Sequence, residues 1–220
     1  MTTATESTLH HPRTLGDLLN QLGGVSADRV RLIPSPGTAT EQDAINNPLC
    51  ELVDGTLVEK PLGFNESVLA VIIARVVANF VVSRKLGLVA ITEGMFRVSP
   101  GQIRMPDVSY TSWARIPHDV QSVAAPDLSP DLAIEILSPA NTLREMERKR
   151  QDYFDGGTRL IWIVHPEPRT VDVYLPGQSE PAVLSESDSL DGFDVLPGFY
   201  HSIAAIFAEA QRPAEQVQAP

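Results

Sequence analysis

Cysteine is almost absent from this chain: Cys50 stands alone in 220 residues, which excludes an internal disulfide framework. The five histidines are scattered, and with one thiol they form no zinc-binding spacing. No apolar run reaches the roughly 18–20 residues that a membrane helix needs. The opening MTTATESTLHHPRTL lacks the charged start and apolar middle of a signal peptide. A glycine loop for cradling phosphate and the GxSxG nucleophile elbow are both missing. A cytoplasmic protein without a membrane partner is the simplest expectation. Positive charge is also scarce, with 17 Lys and Arg against 28 Asp and Glu and a net charge of −11. Nonspecific affinity for DNA comes mainly from cations that displace counterions, so an acidic chain starts at a disadvantage as a nucleic-acid binder. Two groups of bases could still form local patches: Arg144, Arg148, Lys149 and Arg150, and Arg75, Arg84 and Lys85. A bound metal would change the local field again.

What the chain does contain is enough apolar material for one domain with a real core, 43% hydrophobic against 20% charged residues. Residues 1–47 read as an N-terminal extension that packs on the core, with 1–13 polar and disordered, a short helix over Thr14–Leu22, and a loop from Arg31 with one helical turn from Thr40. Residues 48–210 read as the main domain and 211–220 as a loose tail. Asp54-Gly55 marks a hairpin across Cys50–Glu59. The pattern from Asn65 or Ser67 to Lys85 predicts a long helix that is apolar on nearly every side and is capped at Gly87. Strands are expected over Leu88–Thr92, Met95–Val98, Arg104–Ser112, Leu132–Leu137, Leu160–Val164, Val171–Leu175 and Ala182–Ser185. A helix follows Thr142, where Glu145 has capping-box spacing, and another spans Ser202–Ala210. The order suits a mixed β-sheet flanked by helices.

Glu135 is the residue that most needs a reason. It interrupts the apolar strand Leu132–Leu137, and burying a lone acid is costly unless something pairs with it or binds it. Asp107, after Pro106, opens a second apolar strand pattern. Two acids on adjacent strands can share a divalent cation such as Mg²⁺, which prefers carboxylate oxygen, and a nearby base could steady developing negative charge. Pro-Asp, a spacer, Glu in a strand and then lysine is the outline of the PD-(D/E)XK nuclease superfamily. More closely, ELVDGTLVEK (Glu51–Lys60), RMPDVSY (Arg104–Tyr110), IEILSPANT (Ile134–Thr142), KRQDYFDGG (Lys149–Gly157) and LIWIVHP (Leu160–Pro166) together resemble a bacterial family of restriction-endonuclease-like proteins. The ordered set covers about Pro48 to Phe207.

The resemblance implies an α/β restriction-endonuclease-like core and a DNA endonuclease that uses Mg²⁺ or Mn²⁺. It implies metal ligands at Asp107 and Glu135, with Glu66 at the start of the long helix as a further acid. The superfamily lysine should stand two residues after Glu135, yet that position is Leu137. The family spacing moves the role to Lys149, four residues before Tyr153. Helical geometry at about 100° per residue opposes this. A face defined by Leu143, Met146, Tyr153 and Phe154 centres on Arg150 and leaves Lys149 on the flank. Glu51, Ser138, Asn141 and His165 are further candidates, each with an ordinary structural explanation. Trp162 and Tyr153 read as core. A homodimer is expected through helix 65–85 or segment 14–47, because one sheet face cannot cover so apolar a helix. Two other functions remain open. One is a catalytically silent, dimeric interaction module on the same fold; the other is a metal-dependent hydrolase of a small phosphorylated substrate.

Overall fold

The computed structural model describes residues 12–61, 63–118, 120 and 123–211. The predicted disorder before residue 12 and the loose tail from 212 lie outside the described residues. Thr14 starts helix α1 (Leu15–Gln21) with a reciprocal capping box: its hydroxyl accepts from Asp17 N–H at 3.1 Å, and its own N–H donates to Asp17 Oδ2 at 3.0 Å. Thr40 and Asp43 repeat the device at α2 (Glu41–Asn46), after a 3₁₀ turn at Ala27–Arg29. Asp54 and Gly55 take φ of 47° and 68°, the paired left-handed residues that close a two-residue hairpin between β1 (Cys50–Val53) and β2 (Thr56–Glu59). The long helix is α3 (Phe64–Arg84).

Next come β3 (Gly87–Ile91), β4 (Phe96–Ser99), β5 (Gln102–Arg104) and β6 (Val108–Ser112). The one strand expected over Arg104–Ser112 is therefore two strands, and they belong to different sheets. Met105-Pro106-Asp107 carries the chain across, and proline, with no N–H, suits a break in a ladder. After β7 (Leu132–Ile136) the chain runs through α4 (Leu143–Asp155) into β8 (Leu160–His165), β9 (Thr170–Tyr174) and β10 (Ala182–Leu184). A small ribbon of β11 (Ser189–Asp191) and β12 (Tyr200–Ser202), unsignalled in the sequence, precedes α5 (Ile203–Glu209).

Two larger sheets result. One has six strands in the order β10-β9-β8-β7-β6-β3; the other has four in the order β2-β1-β5-β4. Only β7 and β8 pair in parallel within the six-stranded sheet, with α4 as the crossover. This is the mixed sheet flanked by helices that the element order predicts. Side chains alternate across a strand, and the two cores follow that period. Leu132, Ile134 and Ile136 face α3 and α5, together with Val108, Tyr110, Trp162 and Phe207. Ala133 faces the other way, with Met146 and Tyr153 of α4 and Phe96 and Val98 of β4.

By length and composition α3 could cross a membrane, at a mean hydropathy of 1.8. It is instead the central core helix, with Leu69, Ile72, Ile73, Val76, Val77 and Val81 buried. The sheet and α5 cover its inner face, leaving Val71 and Val82 exposed on an outer stripe with Arg75 and Asn79. In the N-terminal segment, Leu18, Leu22, Val25 and Val30 pack on Val53 and Val58 of the hairpin. At Gly23 (φ +89°) the chain lies so close to α4 that an added Cβ would meet Glu145 Cα at 2.8 Å.

Gly87 does not end α3 as predicted. Lys85 takes the left-handed conformation there (φ 56°), and its N–H bonds to the Val81 and Val82 carbonyls. Gly87 is needed for a different reason: a Cβ would lie 2.0 Å from Thr111 O of the paired strand β6. Gly87→Ala is expected to lower unfolding stability by about 1–3 kcal/mol, as overpacking does. Urea denaturation measures this, and an unchanged midpoint would contradict the close approach.

Candidate active site

Register brings the two predicted acids together. β6 and β7 are antiparallel with Val108 opposite Ile134, so Asp107 falls beside Glu135, and both have the parity of Ala133 on the α4 face. Asp107 Oδ2 accepts from Ile136 N–H at 2.7 Å, which locks the carboxylate across the strand ends. Its Oδ1 accepts from Lys60 Nζ at 2.8 Å. The same ammonium donates to Met105 O and lies 3.8 Å from Glu135 Oε2. Lys60 immediately follows β2, and the sequence reading passed it over as the end of a hairpin.

Behind Glu135 lies a second, deeper layer. Lys149 Nζ is 3.3 and 3.4 Å from the two Glu135 oxygens and 3.1 Å from Glu51 Oε1. Tyr153 O–H donates to Glu135 Oε1 at 2.7 Å. Glu51 also accepts from Arg104 Nη1 at 2.8 Å and from Met105 N–H at 3.1 Å, and Arg104 Nε donates to Asp152 at 2.9 Å. Leu52 pairs with Ile103, so Glu51 and Arg104 are cross-strand neighbours.

Lys149, not Arg150, is thus the inward cation of α4. The buried residues of this helix are Glu145, Met146, Lys149 and Tyr153. Leu143 is 78% exposed while Glu145 and Lys149 are themselves buried, so the inner face is rotated away from the apolar residues that centre on Arg150. Arg150 points outward over the Tyr174 ring and donates to Gln178 O at 3.2 Å.

These contacts set proton affinities. Burial pushes Glu51 up, but Lys149, Arg104, Lys60 and the Met105 N–H outweigh it and hold the carboxyl at about 2. Glu135 moves the other way: burial raises it, with Asp107 and Glu51 adding to the rise, and Lys149 and Lys60 only partly oppose this. Burial lowers the proton affinity of Lys149, but Glu135, Glu51 and Glu145 more than reverse it, so the ammonium keeps its proton. Tyr153 is raised by burial and by Glu135 and Glu51, so it remains a donor.

The family profile described as "Uma2: Putative restriction endonuclease" matches residues 42–205. The chain belongs to this family. Among solved structures it is similar to a crystal structure described as a putative nuclease belonging to DUF820 from Anabaena variabilis. The identity is 24%, 74% of this chain and 92% of that chain are covered, and the TM-score is 0.66. That likeness establishes the restriction-endonuclease-like fold. No functionally curated protein is similar to the chain.

In this Uma2 protein the chemistry of the paired acids fits a hard divalent cation. Asp107 and Glu135 converge on a single positively charged atom, and Mg²⁺ is commonly bound by one or two carboxylates with water completing its shell. Glu66 is the further acid that the resemblance implies. It sits in the first turn of α3, where a negative charge is favoured by the helix dipole, and its carboxylate folds back over Gly63. Among the described residues no group of three His, Cys, Asp or Glu side chains is arranged to hold a metal.

Other candidates have hydrogen-bond partners of their own. Asn141 Oδ1 accepts from Ser138 N–H and Oγ at 3.0 and 3.1 Å, closing the β7–α4 turn. Thr142 caps α4, but Glu145 does not return to it. Arg29 takes Glu145 instead, at 2.7 and 2.9 Å, tying the N-terminal segment to the helix. His165 pairs with Asp172 at 2.9 Å. The expected basic patches are partly consumed: Arg148 pairs with Asp54 at 2.8 Å, Arg75 pairs with Glu209 at the surface, and Lys149 is buried.

Because Glu51 is depressed from 4.5 to about 2, its stabilising effect is complete above pH 4.5 and fades as pH falls toward 2. Glu51→Gln takes one of two carboxylate partners from both Arg104 and Lys149 and is expected to cost about 3–5 kcal/mol near neutrality. The gap between wild type and variant should narrow on acidification across that window. Chemical denaturation at several pH values tests this, and a constant gap would refute the pairing.

Proposed function

We propose that this chain is a nuclease that hydrolyses a DNA phosphodiester bond with a divalent cation, Mg²⁺ or Mn²⁺, held by Asp107 and Glu135. Membership of the Uma2 family supports the reaction class. The observation that carries the site is the convergence of the two carboxylates at the adjoining ends of β6 and β7. When bound, the cation polarises the phosphate and lowers the pKa of a coordinated water.

The other contributions come from the chain itself. Side-chain exposure is 17% at Asp107, 5% at Glu135 and 2% at Lys149, so substrate approaches from the Asp107 side. Ile136 N–H holds Asp107 in place. Lys149 keeps its proton, so it is no general base; it fixes and partly neutralises Glu135 from behind, as Tyr153 does by hydrogen bonding. Lys149 is on this reading a positioning residue. A homodimer would place one such site on each DNA strand. The exposed stripe of α3 offers it little apolar surface.

A second reading is a catalytically silent interaction module. What favours it is that Lys60, Lys149 and Arg104 already compensate the acids, while Arg75 and Arg148 are taken up in ion pairs and not offered to a phosphate backbone.

Purified protein incubated with supercoiled, linear and single-stranded DNA and Mg²⁺ or Mn²⁺ decides between them. Cleavage is expected, with Asp107→Ala and Glu135→Ala each about a hundredfold slower or worse while retaining the wild-type circular dichroism spectrum. No cleavage of any substrate would favour the silent module, and equal cleavage by the variants would point to a contaminating nuclease. Sedimentation at micromolar concentration as a 23.9 kDa species would reject the dimer.

A further inference from the structure

We propose that the Lys60 ammonium is a built-in cation that occupies the Asp107–Glu135 pair and has to be displaced before a divalent ion can bind. This rests on the reading of those acids as the metal pair. Lys60 Nζ donates to Asp107 Oδ1 at 2.8 Å and to Met105 O, and it stands 3.8 Å from Glu135 Oε2. Two carboxylates and a backbone carbonyl are the oxygen donors a hard cation takes, and here they surround an ammonium. The side chain is only 3% exposed, so this is no loose surface contact.

Charge balance supports exchange over addition. Asp107, Glu135, Glu51 and Asp152 meet Lys60, Lys149 and Arg104, so the cluster carries one net negative charge without a metal. A dication added with Lys60 in place would leave one uncompensated positive charge in a largely buried setting, which is unfavourable, whereas exchange for Lys60 leaves none. With Lys60 withdrawn, the dication meets the two acids it needs.

The two lysines differ in their freedom to move. Lys149 is wedged on the inner side of Glu135 against Glu51, from the middle of α4. Lys60 lies just beyond β2, at the start of the connection to α3, and swings on a flexible four-carbon stem. The same contact gives the metal-free protein a paired Asp107, where an unpaired one would destabilise it. Lys60 therefore trades metal affinity for stability of the empty site.

Titration calorimetry of Mn²⁺ into full-length wild type and Lys60→Met tests this directly, because methionine keeps length and removes charge. Binding about tenfold tighter or more in the variant is expected, with melting temperature lowered without metal and recovered by Mn²⁺. Similar measurable affinity in both proteins would overturn the displacement while leaving the metal pair intact, and so would weaker binding in the variant. No binding by either protein at millimolar Mn²⁺ would remove the metal reading and this inference together. If Lys60→Met does not fold, amine-detected ¹⁵N NMR of wild type replaces it, since the chain has only three lysines, Lys60, Lys85 and Lys149. Saturating Mg²⁺ should then move the Lys60 signal far more than that of Lys149, and an unmoved Lys60 signal would refute the proposal.

Discussion

Three carboxylates and three cations share one seam, and much of the architecture follows from the need to pair them. A buried charge stripped of its partner typically costs several kcal/mol. Glu51 and Arg104 come from the four-stranded sheet, Asp107 and Glu135 from the six-stranded sheet, Lys149 from α4, and Lys60 from the end of the hairpin. No two of these elements can slide without stranding a charge. The pairing thus holds the sheets and α4 in register.

The N-terminal segment extends the same logic outward. Arg29 is buried, grips Glu145 with both guanidinium nitrogens and reaches the carbonyls of Glu59 and Ala140. It therefore joins the hairpin end that bears Lys60 to the helix that bears Lys149. One consequence is electrostatic. Arg29, Lys60, Arg104 and Lys149 are spent in the interior, so the solvent-facing bases are fewer than the composition suggests. A surface of this kind attracts polyanions weakly from a distance.

Much of the local structure was legible because its causes are local. The threonine caps of α1, α2 and α4 and the Asp54-Gly55 turn appear where residue chemistry places them. Asp107 and Glu135 were legible for another reason: acids in apolar strand patterns demand a partner, and the family outline named them. Lys60 was not, because a lysine after a hairpin looks like solvent-facing punctuation until the strand after Met105 is known to cross to a second sheet. Helical periodicity points to Arg150 and the family spacing to Lys149; the buried face of α4 runs through Glu145 and Lys149, polar residues that an apolar pattern does not mark.

The sequence by itself determined the elements, the mixed α/β class, the family and the two acids, since these rest on short-range periodicity and on ordered motifs. Tertiary structure alone decided that one predicted strand serves two sheets, which face of α3 is buried, and which lysine meets which acid. The reason is that an ion pair forms where Coulomb attraction over about 3–4 Å outweighs desolvation. Such distances link Lys60 to Asp107 and Arg29 to Glu145, residues far apart in the chain. No local pattern records those separations; strand register and helix packing create them.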